Sequence, residues 1–303
     1  MSEILEVREY IKNTAPPADA SREEIRRLRE TAAVARPIVE GVATSRIDMG
    51  GVAAELITPV GADTSRAIVH LHGGGFVFGS PGTHRTIGAY LAKESGVPVY
   101  MVDYRLAPEH LYPAALEDAC AAFAWLVGTG VPASSTVVSG DSAGGGLALS
   151  LGLDLAERNQ PQPAALVLQS PWTDLSCSFD TYDMLEGIDP TATRDRLLAM
   201  AKLYVGEGGD LRAPKVSPCF GNLSGLPPML IQVGGSEAMM GDSIALYGQA
   251  KRHGVQADLE VWPEMIHVWH QYTFMLEDAR RALSRAVEYA QQHWTAAARA
   301  AAE

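Results

Sequence analysis

The sequence has few cysteines and no long apolar segment, and each shortage excludes a class of protein. Only 3 cysteines occur among 303 residues, at positions 120, 177 and 219, and they form no CxxC pair. This number and spacing exclude a disulfide-built scaffold and a structural zinc site. No apolar run approaches the roughly 20 residues of a membrane-spanning helix, and the first residues lack the apolar stretch of a signal peptide. We therefore expect a cytoplasmic protein without a membrane partner.

Basic residues are also scarce: 24 Lys and Arg stand against 36 Asp and Glu, which gives a formal net charge of −12. Nucleic-acid binding depends on clustered cations, so this balance excludes a nucleic-acid partner and favours a small-molecule one. The one cationic cluster, Arg22 to Arg29, is interleaved with Glu23, Glu24 and Glu30. Such alternation of charge is typical of a solvent-exposed helix face, which is what we expect here.

Short apolar runs alternate with helical patterns along most of the chain. The eight predicted strands are residues 46–48, 53–58, 67–71, 98–103, 136–139, 164–169, 228–233 and 257–262. Helical spacing occupies residues 83–95, 114–127, 143–158, 242–252 and 276–294. This alternation predicts an α/β protein whose mostly parallel sheet carries helices on both faces, with an antiparallel edge where the early strands follow one another directly.

Two segments stand apart from that alternation. Residues 1–40 have the pattern of two helices, and residues 176–225 contain no strand pattern, only a helical one near 194–205. An insertion of this length is usually functional, so we expect it to pack with the N-terminal helices as a cap. The predicted division is thus a cap segment (1–40), a main domain in two parts (41–175 and 226–303) and a cap insertion (176–225).

A GxSxG pattern, Gly140-Asp141-Ser142-Ala143-Gly144, follows the predicted strand 136–139 and opens a helix. A sharp strand-to-helix turn of this kind exposes a serine hydroxyl at the carboxyl end of a sheet, where it can act as a nucleophile. The alternative is a tight glycine turn with an incidental serine.

A glycine-rich run, His72-Gly73-Gly74-Gly75, directly follows the predicted strand 67–71. Backbone amides without side chains beside them can stabilise an oxyanion. A phosphate-binding loop is disfavoured because no GK[ST] or GxGxxG pattern follows. A metal pair of His70 and His72 lacks a third ligand.

A serine nucleophile needs a base and an acid that orients the base. His267 follows the last predicted strand and is the better candidate for the base; His270 is the alternative. Glu237 follows the penultimate strand and is the preferred acid. Asp242 remains the alternative acid, although it resembles the N-cap of the next helix.

Five motifs together resemble the hormone-sensitive-lipase family (bacterial family IV) of α/β-hydrolase esterases. They are HGGG at 72–75, DYRLAPEH at 103–110, GDSAGG at 140–145, SPWTDL at 170–175 and IHVW at 266–269. The similarity covers residues 40–295 and includes acetyl hydrolases and monoterpene epsilon-lactone hydrolases. It implies an α/β-hydrolase fold with a helical cap, a Ser142 nucleophile, a His267 base and an oxyanion hole from the amides of Gly74, Gly75 and Ala143. It also implies that no metal or cofactor is needed, and that two copies pair through residues 257–262.

One departure from the family concerns the acid, because Glu237-Ala238-Met239 stands where many members carry DPLRD. Further expectations are an ion pair between Arg105 and Glu109 that braces the glycine loop, and substrate contacts from Phe76, Phe78 and Asp141. The predicted function is hydrolysis of short to medium acyl esters through a Ser-His-Glu triad. The alternatives are a lactone or amide hydrolase on the same machinery and, more remotely, a non-catalytic ligand-binding protein of the same fold.

Overall fold

A single eight-stranded sheet forms the centre of the molecule in the computed structural model, which describes residues 2–37 and 39–300, with side chains up to residue 295. The strands are β1 (Val42–Asp48), β2 (Ala53–Pro59), β3 (Ala67–Leu71), β4 (Val99–Val102), β5 (Thr136–Asp141), β6 (Ala165–Gln169), β7 (Met229–Gly234) and β8 (Ala257–Trp262). Their order is β1-β2-β4-β3-β5-β6-β7-β8. β2 pairs antiparallel with both β1 and β4, and all other pairs are parallel. The predicted fold class and its antiparallel edge are confirmed.

Helices cover both faces of this sheet. They are α1 (Glu3–Thr14), α2 (Arg22–Val34), α3 (Pro81–Ser95), α4 (Ala114–Gly128), α5 (Ala143–Glu157), α6 (Thr181–Met184), α7 (Arg194–Val205), α8 (Met240–Arg252) and α9 (Glu277–Ala300). α3 and α9 pack together over one face, and α4 and α5 pack together over the other, where α8 also lies against β7 and β8. Every residue of β3, β5, β6 and β7 is buried. Burial on both faces explains why these strands are continuous apolar runs rather than alternating patterns.

The N-terminal helices lie over the carboxyl edge of the sheet. α1 buries Ile4 and Val7 in a cluster that contains Ile266 and Trp269. α2 begins with a side-chain cap, because the Ser21 hydroxyl accepts a hydrogen bond from the amide of Glu24.

The expectation that Arg22 to Arg29 form a solvated face is wrong for two of its members. Arg26 donates to the carbonyls of Val77 (2.9 Å) and Ala107 (2.9 Å) and pairs with Glu109 (2.9 Å). The guanidinium of Arg29 lies over the ring of Phe78, 4.7 Å from its centroid. Both side chains therefore face the protein and attach α2 to the loop that follows β3.

The segment between β6 and β7 contains α6 and α7, and α7 occupies the residues where the helical pattern was predicted. The division into main domain and cap stays a prediction, and residues 1, 38 and 301–303 of the predicted segments lie outside the described residues. None of the helices in the described part of the chain is long and apolar enough to cross a membrane.

Candidate active site

Ser142 lies at the turn between β5 and α5, in a backbone conformation that side-chain-bearing residues rarely adopt (φ 52°, ψ −121°). The turn is tight because α5 approaches β3 closely: a methyl group on Gly144 would lie 1.9 Å from the Leu71 carbonyl oxygen. Only glycine fits at that point. The strained turn aims the Ser142 side chain at the carboxyl edge of the sheet, as the GxSxG pattern predicts.

His267 reaches the serine from the loop that follows β8. Its Nε2 atom lies 2.8 Å from Ser142 Oγ, within hydrogen-bonding distance. The two residues are 125 positions apart in sequence, and the parallel order of β5, β6, β7 and β8 brings their loops to one edge.

Glu237 lies behind His267, in the loop after β7, and is fully buried. Its Oε1 atom is 3.6 Å from His267 Nδ1, longer than an ordinary hydrogen bond, and neither atom has another partner among the described residues. Its Oε2 atom accepts hydrogen bonds from the Ser170 hydroxyl (2.7 Å) and the Gly234 amide (3.1 Å). Ser170 in turn accepts from the amide of Val268 (3.1 Å). Ser170 thus ties the Glu237 loop to the His267 loop.

Sequence reasoning missed Ser170, although a usable signal exists. The residue directly follows β6, so strand order alone places it at the same edge as Ser142 and Glu237. Its side chain contacts both the predicted acid and the residue after the predicted base.

Both carboxylate oxygens of Asp242, the alternative acid, accept hydrogen bonds from residues other than His267. Its Oδ1 atom accepts from the amides of Thr173 (2.9 Å) and Asp174 (2.8 Å), and its Oδ2 atom accepts from the Tyr182 hydroxyl (2.7 Å). Burial raises the pKa of Asp242 to about 7. The N-cap expectation is wrong because α8 begins two residues earlier, at Met240.

His270, the alternative base, is buried against Trp269, and its Nε2 atom lies 3.2 Å from the side-chain oxygen of Gln232. Burial lowers the pKa of His270 to about 3, so the ring is neutral. Among the described residues, neither of its ring nitrogens forms a hydrogen bond with Ser142.

Three backbone amides, those of Gly74, Gly75 and Ala143, donate no hydrogen bond to any described residue. Gly74 adopts φ 119°, and a methyl group there would lie 2.2 Å from the Phe78 carbonyl oxygen. Glycine is therefore required where this loop turns back on itself. Gly74 and Gly75 line the same cavity as Ser142, and Ala143 is the next residue in the chain.

The side chain of Asp141 holds the glycine loop in place. Its Oδ1 atom accepts from the Gly73 amide (3.1 Å) and lies 3.2 Å from His70 Nε2, while its Oδ2 atom lies 3.3 Å from His84 Nε2. Burial raises the pKa of this carboxyl, but the histidines outweigh burial and hold its pKa below the usual range. Asp141 borders the cavity, but its oxygens are turned to the loop and to histidines, and its expected contact with substrate stays a prediction.

The DYRLAPEH segment braces the same loop by a contact other than the predicted one. The Tyr104 hydroxyl donates to the His72 carbonyl (2.6 Å), and the two rings stack 4.2 Å apart. The expected Arg105–Glu109 ion pair is wrong: Arg105 pairs with Asp118 (2.8 Å), and Glu109 pairs with Arg26 of α2. The partner of Glu109 comes from a helix 83 residues away in sequence, which local spacing cannot reveal.

A cavity of about 460 Å³ opens over Ser142 and His267. α1, α2 and the segment that carries α7 form its outer wall. Phe78 lines it, as expected, whereas Phe76 does not: its ring is buried and stacks on Tyr204 with centroids 3.8 Å apart.

The electrostatic surroundings of His267 favour its charged form. Burial lowers the pKa of the ring, but the carboxylates of Glu237, Asp189 and Asp141 together outweigh burial, so its pKa lies above the usual 6.5. An imidazole with a raised pKa is a stronger proton acceptor from the serine hydroxyl.

Known proteins resemble this chain in sequence and in fold. The family described as having the alpha/beta hydrolase fold matches residues 68–271. The chain belongs to the α/β-hydrolase family. It is 40% identical to an acetyl-hydrolase of Streptomyces hygroscopicus over 78% of this chain and 79% of that protein. It is 33% identical to an esterase of Acinetobacter venetianus over 76% of each. A solved esterase from the bacterial hormone-sensitive lipase family superimposes with a TM-score of 0.93 at 38% identity, covering 96% of this chain and 98% of that one.

This α/β-hydrolase is therefore of the hormone-sensitive-lipase type, as its motifs indicate. Within residues 2–37 and 39–300, no group of three or more His, Cys, Asp or Glu side chains is arranged to hold a metal ion.

Proposed function

We propose that this α/β-hydrolase is a carboxylesterase that cleaves short to medium acyl esters through Ser142, His267 and Glu237. The observation that carries the proposal is the 2.8 Å contact between His267 Nε2 and Ser142 Oγ, beside three unused amides and inside a cavity. Two of the relatives named above are named esterases, and the third is named an acetyl-hydrolase, which supports hydrolysis of small acyl groups.

In the first half of the reaction, His267 removes the proton from Ser142 while the serine oxygen attacks the ester carbonyl. The carbonyl oxygen becomes an oxyanion, which the amides of Gly74, Gly75 and Ala143 stabilise by about 3 kcal/mol per donor. His267 then protonates the leaving alcohol. The product is an acyl group on Ser142 Oγ.

In the second half, His267 removes a proton from water while the water oxygen attacks the acyl carbonyl, and His267 then returns that proton to Ser142 Oγ as the bond to the acyl group breaks and the acid leaves. Glu237 orients His267 and stabilises its charged form. Glu237 Oε1 and His267 Nδ1 have no other partner among the described residues, which supports this role, and their 3.6 Å separation is compatible with it because catalytic hydrogen bonds often shorten when substrate binds. The steps use side chains and amides of this chain, with water as the second reactant.

The size of the acyl group follows from the cavity. A volume of about 460 Å³ suits a small ester, and its outer wall consists of α1, α2 and the α7 segment. We propose that these elements act as a cap that excludes water from the acyl-enzyme.

A panel of para-nitrophenyl esters from acetate to dodecanoate, together with lactones and acyl amides, tests the reaction class. We expect the highest kcat/KM between acetate and hexanoate, and none of this activity in Ser142→Ala. Faster turnover of a lactone or an amide would instead identify the protein as a lactone or amide hydrolase that uses the same residues. Binding of esters without hydrolysis would overturn the proposal in favour of a ligand-binding protein.

We also propose that two copies pair through β8. Among the described strands, β8 is an outer strand of the sheet that pairs only with β7, and Val261 on it is 46% exposed. An unpaired strand edge is a ready site for a second copy. Cytoplasmic localisation stays a prediction.

A further inference from the structure

Three arginines line the cavity over Ser142. Arg29 lies on α2, Arg36 lies in the segment that follows it, two residues beyond the end of the helix at Val34, and Arg196 lies on α7. They enter from two separate parts of the outer wall, in a chain whose net charge is −12. The positive charge of this part of the cavity therefore contrasts with the negative charge of the chain as a whole.

None of the three arginines has an acidic partner among the described residues, and two of them have no hydrogen-bond acceptor either. Within the described residues, the guanidinium groups of Arg29 and Arg196 form no ion pair and donate no hydrogen bond. Arg36 donates to the Thr83 carbonyl (3.0 Å), but its Nε atom is buried without a partner. In contrast, their neighbours on the same helices are paired, Arg26 with Glu109 and Arg194 with Asp183.

The arginines also repel one another. Burial lowers the pKa of Arg29, and the positive charge of Arg196 lowers it further. Arg29 is half-buried and Arg196 is exposed, so water partly screens their repulsion, and an anion bound between them would reduce it further.

Nearby acidic groups are already occupied. Asp141 faces Gly73 and the two histidines described above. Asp189 accepts from Thr191, Ala192 and the amide of Ala238. Burial raises the pKa of Tyr272, another lining residue, to about 12, so its phenol is neutral.

The two unpaired cations line the same cavity as Ser142 and His267. Arg29 is stacked on Phe78, whose amide donates to the Gly74 carbonyl (2.9 Å). Arg196 precedes Met200 by one helical turn, and a methyl group on Gly75 would come within 2.5 Å of the Met200 sulfur. Arg29 thus contacts the loop that contains Gly74, and Arg196 lies on the helix whose Met200 lies close to Gly75.

We propose that Arg29 and Arg196 bind a carboxylate on the substrate, so that the preferred substrates are esters with a free carboxylate on their acyl or alcohol part. This inference rests on the proposed esterase function and specifies its substrate class. Guanidinium groups match carboxylates in shape and form two hydrogen bonds to them. An anion between the two arginines would remove their mutual repulsion and satisfy their donors.

Matched substrate pairs test the inference. On the alcohol side, para-acetoxybenzoate is compared with its neutral methyl ester; on the acyl side, the mono-para-nitrophenyl ester of adipic acid is compared with para-nitrophenyl hexanoate. We expect kcat/KM for the anionic member of at least one pair to exceed that of its neutral partner. The pair that shows the preference identifies the side of the substrate that carries the charge.

Substitution then assigns the preference to the two residues. In Arg29→Met and Arg196→Met, the anionic-to-neutral ratio of kcat/KM should fall about 10- to 100-fold, chiefly through KM for the anionic ester. Arg27→Met and Lys202→Met, exposed cations on the same two helices, should leave the ratio unchanged. Raising the salt concentration should weaken the preference in the wild type and have little effect on it in Arg29→Met.

Neutral esters that are hydrolysed faster than both anionic partners, or a ratio that falls equally in the Arg27 and Lys202 variants, would overturn the inference and leave the esterase proposal standing. Failure to hydrolyse any of the four esters would instead contradict the proposed function.

Discussion

At the scale of single residues, the site depends on which side-chain atoms already form hydrogen bonds within the fold and which have no partner. Asp242 has three hydrogen-bond donors around it, whereas Glu237 keeps one oxygen without a partner and turns it toward His267. Sequence spacing favoured Glu237 over Asp242 as the acid but could not exclude Asp242, because both residues follow the same strand within a few positions. The difference lies in tertiary partners such as Thr173 and Tyr182, which come from a distant part of the chain.

Paired substitutions should separate the two acids. Glu237→Gln should lower kcat by about 100- to 10,000-fold, because the amide cannot hold the imidazole in the correct tautomer or stabilise its charge. Asp242→Asn, measured on the same ester, should keep kcat within a few fold, with its cost appearing as a lower melting temperature. The assignment is wrong if the losses of kcat are reversed.

The pH profile of kcat/KM should reflect the raised pKa of His267. Only the neutral imidazole accepts the serine proton, so activity should rise with pH, with a midpoint above 6.5. Glu237→Gln removes one of the anions that raise this pKa and should move the midpoint to lower pH in whatever activity remains. A wild-type profile that is flat from pH 5 to 8 is incompatible with His267 as the base.

At the scale of elements, the strands could be predicted because burial on both faces makes them continuous apolar runs, and strand order then brings Ser142, Glu237 and His267 to one edge. The sequence could not predict which face of α2 packs against the rest of the protein. Its alternating Arg and Glu residues look solvated in isolation, and only the loop after β3 shows that Arg26 and Arg29 face inward. The composition of a charged helix does not reveal which of its faces has a partner.

The contact between α5 and β3 makes a prediction about stability. Gly144→Ala places a methyl group against the Leu71 carbonyl and should lower the free energy of unfolding by about 3 kcal/mol or more. Gly128→Ala, at the exposed end of α4 with no neighbour within 4 Å, should instead raise it by about 0.5–1 kcal/mol. Urea titration of both variants beside the wild type gives the comparison, and equal midpoints for all three would contradict the close packing.

At the scale of the whole molecule, one sheet carries three features at its carboxyl edge: the turn with Ser142, the glycine loop and the contact with α2. The opposite ends of the sheet, β1 and β8, remain outer strands. The family resemblance predicted pairing through β8, and nothing in a single chain reveals the geometry of such a pair.

Light scattering after size-exclusion chromatography should give twice the mass of one chain if β8 pairs with a second copy. Val261→Arg should shift the mass toward the single chain, because it places a like charge on both sides of the interface. Val60→Arg, an equally apolar and more exposed residue beyond the end of β2, is the control and should leave the mass unchanged. A single-chain mass for the wild type at micromolar concentration would refute the pairing.

The identity of the nucleophile is the central claim, and covalent labelling tests it most directly. The protein is incubated with a fluorophosphonate, and the adduct is located by peptide mass spectrometry. We predict one adduct per chain, on Ser142, with labelling abolished in Ser142→Ala and slowed by several orders of magnitude in His267→Ala. An adduct on another residue, or ester hydrolysis that persists undiminished in Ser142→Ala, would contradict the account.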